Sequence, residues 1–145
     1  MTRESQRTAG ILLVVLPTVM YGGVTLLRML TSDPQYMANP LRQDLWRAGH
    51  AHAGVLLVLA LVALRYVDEA TLGNSMKAVV RSFIPVAAIL MPAGFFLSMV
   101  SPDAERPSEI IALTYLGAVV LAVGVVTLGV GLLRSHRPKT IGDRN

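Results

Sequence analysis

The sequence predicts an all-α fold, a four-transmembrane-helix bundle in one integral membrane domain over 1–145. Three observations predict it. Of the 145 residues, 53% are hydrophobic and 15% are charged, with a mean hydropathy of +0.56. Four apolar stretches are each long enough to cross the roughly 30 Å hydrocarbon core, which takes about 20 helical residues. The alternating segments of a membrane barrel are absent from the sequence, and a helix satisfies its own backbone hydrogen bonds in lipid.

The first two helices have recognisable beginnings. Arg3 and Arg7 precede the first apolar run as in a secretion signal, but the run continues to Leu30 without a small-x-small cleavage pattern, so it is expected to remain as a helix. Asn39 followed by Pro40 is typical of an N-cap with proline at the first helical position. The four helices are expected at about 9–30, 40–67, 78–100 and 110–133, with a flexible tail over 135–145.

The last two helices carry proline and glycine. Pro85 and Pro92 remove backbone donors from the third helix and predict a bend. Gly117, Gly124 and Gly131 follow one another at seven-residue steps in the fourth helix, which allows another backbone to approach closely. Ordinary packing between helices is the simplest interpretation of this stripe, with contact to a planar ligand or assembly of an oligomer as alternatives.

The positive charges predict the orientation. The chain has thirteen Lys and Arg residues. More of them lie on the side shared by the N-terminus, the second loop and the C-terminal tail than on the other side. Because positive charge favours the cytoplasmic side of a membrane, both termini are expected in the cytoplasm. The larger set is Arg3, Arg7, Arg65, Lys77, Arg81, Arg134, Arg137, Lys139 and Arg144. The net charge of +4 then indicates topology and not a nucleic-acid surface. A bacterial inner (cell) membrane is the expected location. Without cysteine, disulfides and thiolate chemistry are excluded.

Two of the three histidines, His50 and His52, stand at the start of the second apolar run. Two residues on a helix correspond to about 200° of rotation, so the rings face nearly opposite ways and cannot be neighbouring ligands of one metal ion. A hydrogen bond to another helix or to headgroups is the default role of such a histidine. A closed zinc site needs more ligands than this segment offers. Haem iron needs a single imidazole, because the porphyrin supplies four nitrogens.

Other residues are candidates for contact with a planar ligand. Phe95 and Phe96 supply flat apolar surface at the end of the third helix. Arg28, Arg42 and Arg47 are expected near the depth of His52, where they could pair with haem propionates, although lipid phosphate is their default partner.

Two stretches resemble a known family. "LWRAGHAHAG" at the start of the second helix is similar to the W-x-R-A-H-x-G stretch of styrene oxide isomerases, and "GFFLSMVSP" at the end of the third is similar to their "GFYLFSNFSP". The first and fourth apolar runs are compatible with the family over nearly the full length. The resemblance implies a trimeric membrane protein with a ferric haem b held between subunits by a histidine. Aligning H-A-G with the family's H-x-G assigns the iron ligand to His52, with His50 as the alternative if the register shifts by two. Arg47 and Phe96 are the other expected haem contacts.

The resemblance also implies a reaction, the isomerisation of an aryl epoxide to an aldehyde with ferric iron as Lewis acid. Three polar residues of the family fall on Val58, Pro92 and Phe96, with Tyr21 or Tyr115 as possible replacements. Three functions therefore stay open. The first is an enzyme acting on a small epoxide or, like the similar hydroxylaminobenzene mutases, on an aryl hydroxylamine. The second is a haem protein for sensing, electron transfer or haem storage. The third is a cofactor-free structural or partner protein.

Overall fold

The computed structural model describes residues 1–135, and the expected tail lies outside this range except for Ser135, which ends the last helix. The helices are α1 (Arg3–Ser32), α2 (Pro34–Met37), α3 (Pro40–Tyr66), α4 (Asn74–Leu97) and α5 (Ala112–Ser135), with a 3-10 turn at Glu109–Ile111 before α5. Four helical segments are long and apolar enough to cross a membrane: α1, α3, α4 and Glu109–Arg134. The all-helical fold with four candidate spans is therefore confirmed. The side of the membrane on which the termini lie stays a prediction.

Local capping explains where several helices begin. The Asn39 side chain accepts a hydrogen bond from the Arg42 N–H at 3.0 Å, and Pro40 follows at the first helical position, which confirms the predicted start of α3. The same side chain donates to the carbonyl oxygens of Pro102 and Ala104 at 2.9 and 3.0 Å. Asn39 thus joins the loop before α3 to the loop after α4.

Several features of the helices differ from the sequence expectation. The third span, expected over 78–100, is the helix Asn74–Leu97. The first helix begins at Arg3 and not near residue 9, because the Thr2 hydroxyl accepts from the Ser5 N–H and caps a polar first turn. The first loop contains the short helix α2, whose start is capped by the Asp33 carboxylate through the N–H groups of Gln35 and Tyr36.

A polar cluster fastens the first turn of α1 to the loop between α3 and α4. Arg81, of which 13% of the side chain is exposed, donates to Asp68 at 2.7 Å, to Glu4 at 2.9 Å and to the Ser5 hydroxyl at 3.1 Å. The Thr2 N–H also donates to Asp68, at 2.6 Å. Burial opposes ionisation of Asp68, but the hydrogen bonds from Arg81, Thr2 and Ser5 outweigh it and lower the pKa of this carboxyl to about 2.

The long helices pack chiefly in chain order, α1 on α3, α3 on α4 and α4 on α5. The glycine stripe of α5 faces α4 and the preceding loop. A Cβ on Gly117 would lie 2.5 Å from Met91 Cγ, one on Gly124 would lie 2.8 Å from Ile84 Cγ1, and one on Gly131 would lie 2.5 Å from Leu72 Cγ. Small-residue packing between helices is thereby confirmed, and the close approach along the stripe is internal to the chain.

Candidate functional site

The His52 ring lies on the side of α3 that meets the end of α4. Its centroid is 5.1 Å from that of Phe95, with the two planes 37° apart. Its Nδ1 lies 2.7 Å from the Ala48 carbonyl oxygen, one helical turn earlier. Because a carbonyl oxygen can only accept, Nδ1 carries the proton and the Nε2 lone pair is left for another partner. The ring is partly exposed.

The two helices approach closely beside this ring because α3 has a glycine there. A Cβ on Gly49 would lie 3.0 Å from Phe95 Cβ and 3.1 Å from a ring carbon of Phe96. Phe96 packs edge-on against Trp46, with centroids 5.8 Å apart, and its carbonyl oxygen accepts from the indole N–H at 3.2 Å. Phe95 is therefore the aromatic neighbour of His52, whereas Phe96 belongs to the packing around Trp46.

The His50 ring lies on the other side of α3, against α1. A Cβ on Gly23 would lie 2.9 Å from His50 Nε2, and one on Gly22 would lie 3.6 Å from Nδ1. His50 also lines a cavity of about 220 Å³ between α1 and α3. The expectation that the two histidines face different neighbours is confirmed. The signal in the sequence for this contact is the Gly22-Gly23 pair, which leaves room for a ring from a neighbouring helix.

The arginines divide between different environments. Arg42 is buried, and its guanidinium donates to the carbonyl oxygens of Met99 at 3.1 Å and Val100 at 3.2 Å. It also lies 4.3 Å from the centroid of the Trp46 ring. These contacts satisfy the last carbonyl groups after α4 and occupy Arg42 within the chain, so the expectation that it pairs with a haem propionate or a lipid phosphate is not supported. Arg47 is exposed and lines the cavity on the His50 side.

The positions aligned with the isomerase family's polar residues are dispersed. Val58 is 52% exposed on α3, Pro92 is buried within α4, and Phe96 packs on Trp46. The possible replacements Tyr21 and Tyr115 lie on α1 and α5 and are 74% and 69% exposed. Within residues 1–135, these positions do not assemble a polar group beside His52.

Comparisons of the chain with protein-family models, with curated proteins and with solved structures give no match. Among the described residues, no group of three or more His, Cys, Asp and Glu side chains could hold a metal ion.

Proposed function

We propose that the chain is an integral membrane haem b protein in which His52 would hold the ferric iron through Nε2. The observation that carries the proposal is the 2.7 Å contact between His52 Nδ1 and the Ala48 carbonyl oxygen. Histidines that ligate metals commonly donate their other ring N–H to a carbonyl or a carboxylate, which fixes both the tautomer and the ring orientation. The resemblance of the surrounding "LWRAGHAHAG" to the isomerase family points to the same residue.

The surroundings of His52 fit one face of a porphyrin. Phe95 offers a flat ring 5.1 Å away. Ala48, one turn before His52, and Val55 and Leu59, after it, lie on the same side of α3. Val55 is 67% exposed, so this side of the helix is open to lipid or to another subunit. A haem on His52 would therefore need a second covering surface, which supports a homo-oligomer, for which the resemblance implies a trimer.

Bound at this position, ferric haem would supply a Lewis acid for a substrate oxygen. The chain itself would supply the His52 imidazole as ligand, the orientation of that ring through the Ala48 carbonyl, and apolar surface that excludes water. Val58, Pro92 and Phe96 offer no side-chain hydrogen bond to orient a substrate, and loss of one such donor typically costs about 10²-fold in rate. We therefore propose haem binding as the primary property and expect weak epoxide isomerisation at most.

The test is the absorption spectrum of the purified protein after reconstitution with haem b. We expect a Soret band that is lost in His52→Ala and kept in His50→Ala, the matched control for removing an imidazole two residues away. Added imidazole should restore the band in His52→Ala, because the free base can take the place of the missing side chain. A band that survives both substitutions would refute the proposal, and a band lost only in His50→Ala would move the ligand to that residue. Conversion of styrene oxide to phenylacetaldehyde tests the isomerase activity separately.

A further inference from the structure

The cavity beside His50 combines apolar walls with three polar side chains. Its lining consists of Gly23, Leu26, Leu27, Leu30, Tyr36, Arg47 and His50. The leucines come from α1, the tyrosine from α2, and the arginine and histidine from α3. It therefore lies where three helices meet, on the side of α3 opposite to His52.

The polar groups of this cavity have hydrogen-bonding capacity to spare. Tyr36 is 1% exposed and lines the cavity, as does His50. No fully buried side-chain nitrogen or oxygen among residues 1–135 lacks a hydrogen bond, so the Tyr36 hydroxyl and the His50 ring, which hydrogen-bond to none of these residues, are open to the cavity. Arg47 donates one N–H to the Gln43 carbonyl oxygen and another to the Asp44 carboxylate at 2.6 Å, and both partners belong to α3. Since a guanidinium carries further N–H donors in its planar fork, Arg47 can still bind an anionic oxygen.

The charge around Tyr36 favours an acceptor, not a cation. Burial raises the pKa of the Tyr36 hydroxyl, so the group stays protonated and is a donor, while the positive charges of Arg47 and Arg42 act in the opposite direction. A ligand group that accepts hydrogen bonds and carries negative charge suits a protonated phenol beside two arginines.

We infer that this cavity binds the carboxylate end of a single-chain amphiphile, of which a fatty acid is the simplest example. Arg47, His50 and Tyr36 would donate to the carboxylate oxygens, and the leucines would contact the first methylene groups. At about 30 Å³ for each water-sized group, the cavity of about 220 Å³ accommodates a head group and a short length of chain. The remaining chain would follow Leu27 and Leu30, which are 62% and 39% exposed.

A phospholipid presents a wider group than a fatty acid. Its glycerol unit and the starts of two acyl chains lie next to the phosphodiester, whereas a single methylene chain follows a carboxylate into the cavity of about 220 Å³. The inference does not rest on haem binding, because the cavity and His52 lie on opposite sides of α3.

Trp46 provides a direct measurement of occupancy. It is the one tryptophan of the chain, and its ring centroid is 5.9 Å from that of Tyr36. With the full chain in nanodiscs of unbrominated phosphatidylcholine, hexadecanoate brominated close to its carboxyl end should quench Trp46 fluorescence in a saturable manner. The matched brominated hexadecanol and a phosphatidylcholine with brominated acyl chains are the comparison probes.

Matched substitutions separate the cavity from general partitioning into lipid. Arg47→Gln should weaken the quenching affinity of the acid about tenfold, the size expected for loss of one charge-assisted hydrogen bond. Arg28→Gln, an exposed arginine of α1 that lines a different pocket, should leave it unchanged. Gly23→Ala should weaken it by displacing the His50 ring, whereas Gly22→Ala, whose new methyl meets the ring at an ordinary contact distance, should not.

Substitution of Asp44 should change the affinity for the acid in the opposite direction. Its carboxylate competes for Arg47 and is 71% exposed, so Asp44→Asn should strengthen binding of the brominated acid. Equal quenching by the acid and the alcohol, equal effects of Arg47→Gln and Arg28→Gln, or quenching by the phospholipid alone would each overturn the inference.

Discussion

Replacing Gly94 by alanine should force α4 and α5 apart. A Cβ at this position would overlap the Thr114 hydroxyl and would lie 2.5 Å from the Thr114 backbone nitrogen and 3.2 Å from its Cα. These last two atoms belong to the main chain of the neighbouring helix, so a change of rotamer cannot relieve the contact. The helices must separate, or α5 must shift along α4.

The expected cost follows from three contributions. Overpacking of a well-packed site costs about 1–3 kcal/mol. Displacing Thr114 also breaks its buried 3.2 Å hydrogen bond to the Met91 carbonyl oxygen, which is worth about 1 kcal/mol. Alanine in place of glycine stabilises a helix by about 1 kcal/mol through its higher helix propensity. The last two nearly cancel, so we expect Gly94→Ala to lower the free energy of unfolding by about 1–3 kcal/mol.

The assay is unfolding in mixed micelles with increasing dodecyl sulfate, followed by far-ultraviolet circular dichroism. Gly129→Ala in α5 is the matched control, because a Cβ there has nothing within 4 Å. It should leave stability unchanged or raise it by up to about 1 kcal/mol. If both variants unfold at the same detergent fraction, the close contact of Gly94 with Thr114 does not exist in the protein.

Two more predictions concern the polar ends of the helices. The pKa of Asp68 is lowered from 3.8 to about 2 in the folded chain, so its contribution to stability is complete above pH 4 and is lost as the pH falls toward 2. Asp68→Asn should flatten the pH dependence of unfolding over this interval, and parallel curves for both proteins would contradict the assignment. Asn39→Ala should lower the free energy of unfolding by about 1–3 kcal/mol, since it removes a helix cap and two hydrogen bonds to the loop after α4. Asn74→Ala, at an exposed position of α4, is its control in the same assay.

The sequence predicts the presence of the long helices better than their ends. The length of the apolar runs alone identifies four spans, because a helix needs about 20 apolar residues to cross the hydrocarbon core. The ends depend on partners that are distant in the chain. Arg3 can begin α1 because Thr2 caps it and because Arg81 pairs with the adjacent Glu4. Such a pair joins residues more than seventy positions apart, which periodicity does not reveal.

At the candidate site, helical period predicts that His50 and His52 face different ways, but not what each ring meets. The bond between His52 and the Ala48 carbonyl is local and follows from helical spacing. The environment of Arg42, in contrast, depends on residues that are distant in the sequence. Because its stem and guanidinium are covered by Trp46 and by the residues after α4, it is an internal support and not a surface cation.

The two histidines of α3 differ in what they leave unsatisfied. His52 is oriented by its own helix through Nδ1, which leaves Nε2 for the proposed iron. His50 packs against Gly22 and Gly23 of α1, and its ring lines a partly open cavity that it shares with Tyr36 and Arg47. Because the two half-buried imidazoles lie on opposite sides of α3, each can bind a ligand without contact between the two ligands. The two sites should therefore respond independently: His52→Ala should leave the quenching of Trp46 by the brominated acid intact, and Arg47→Gln should leave the Soret band intact.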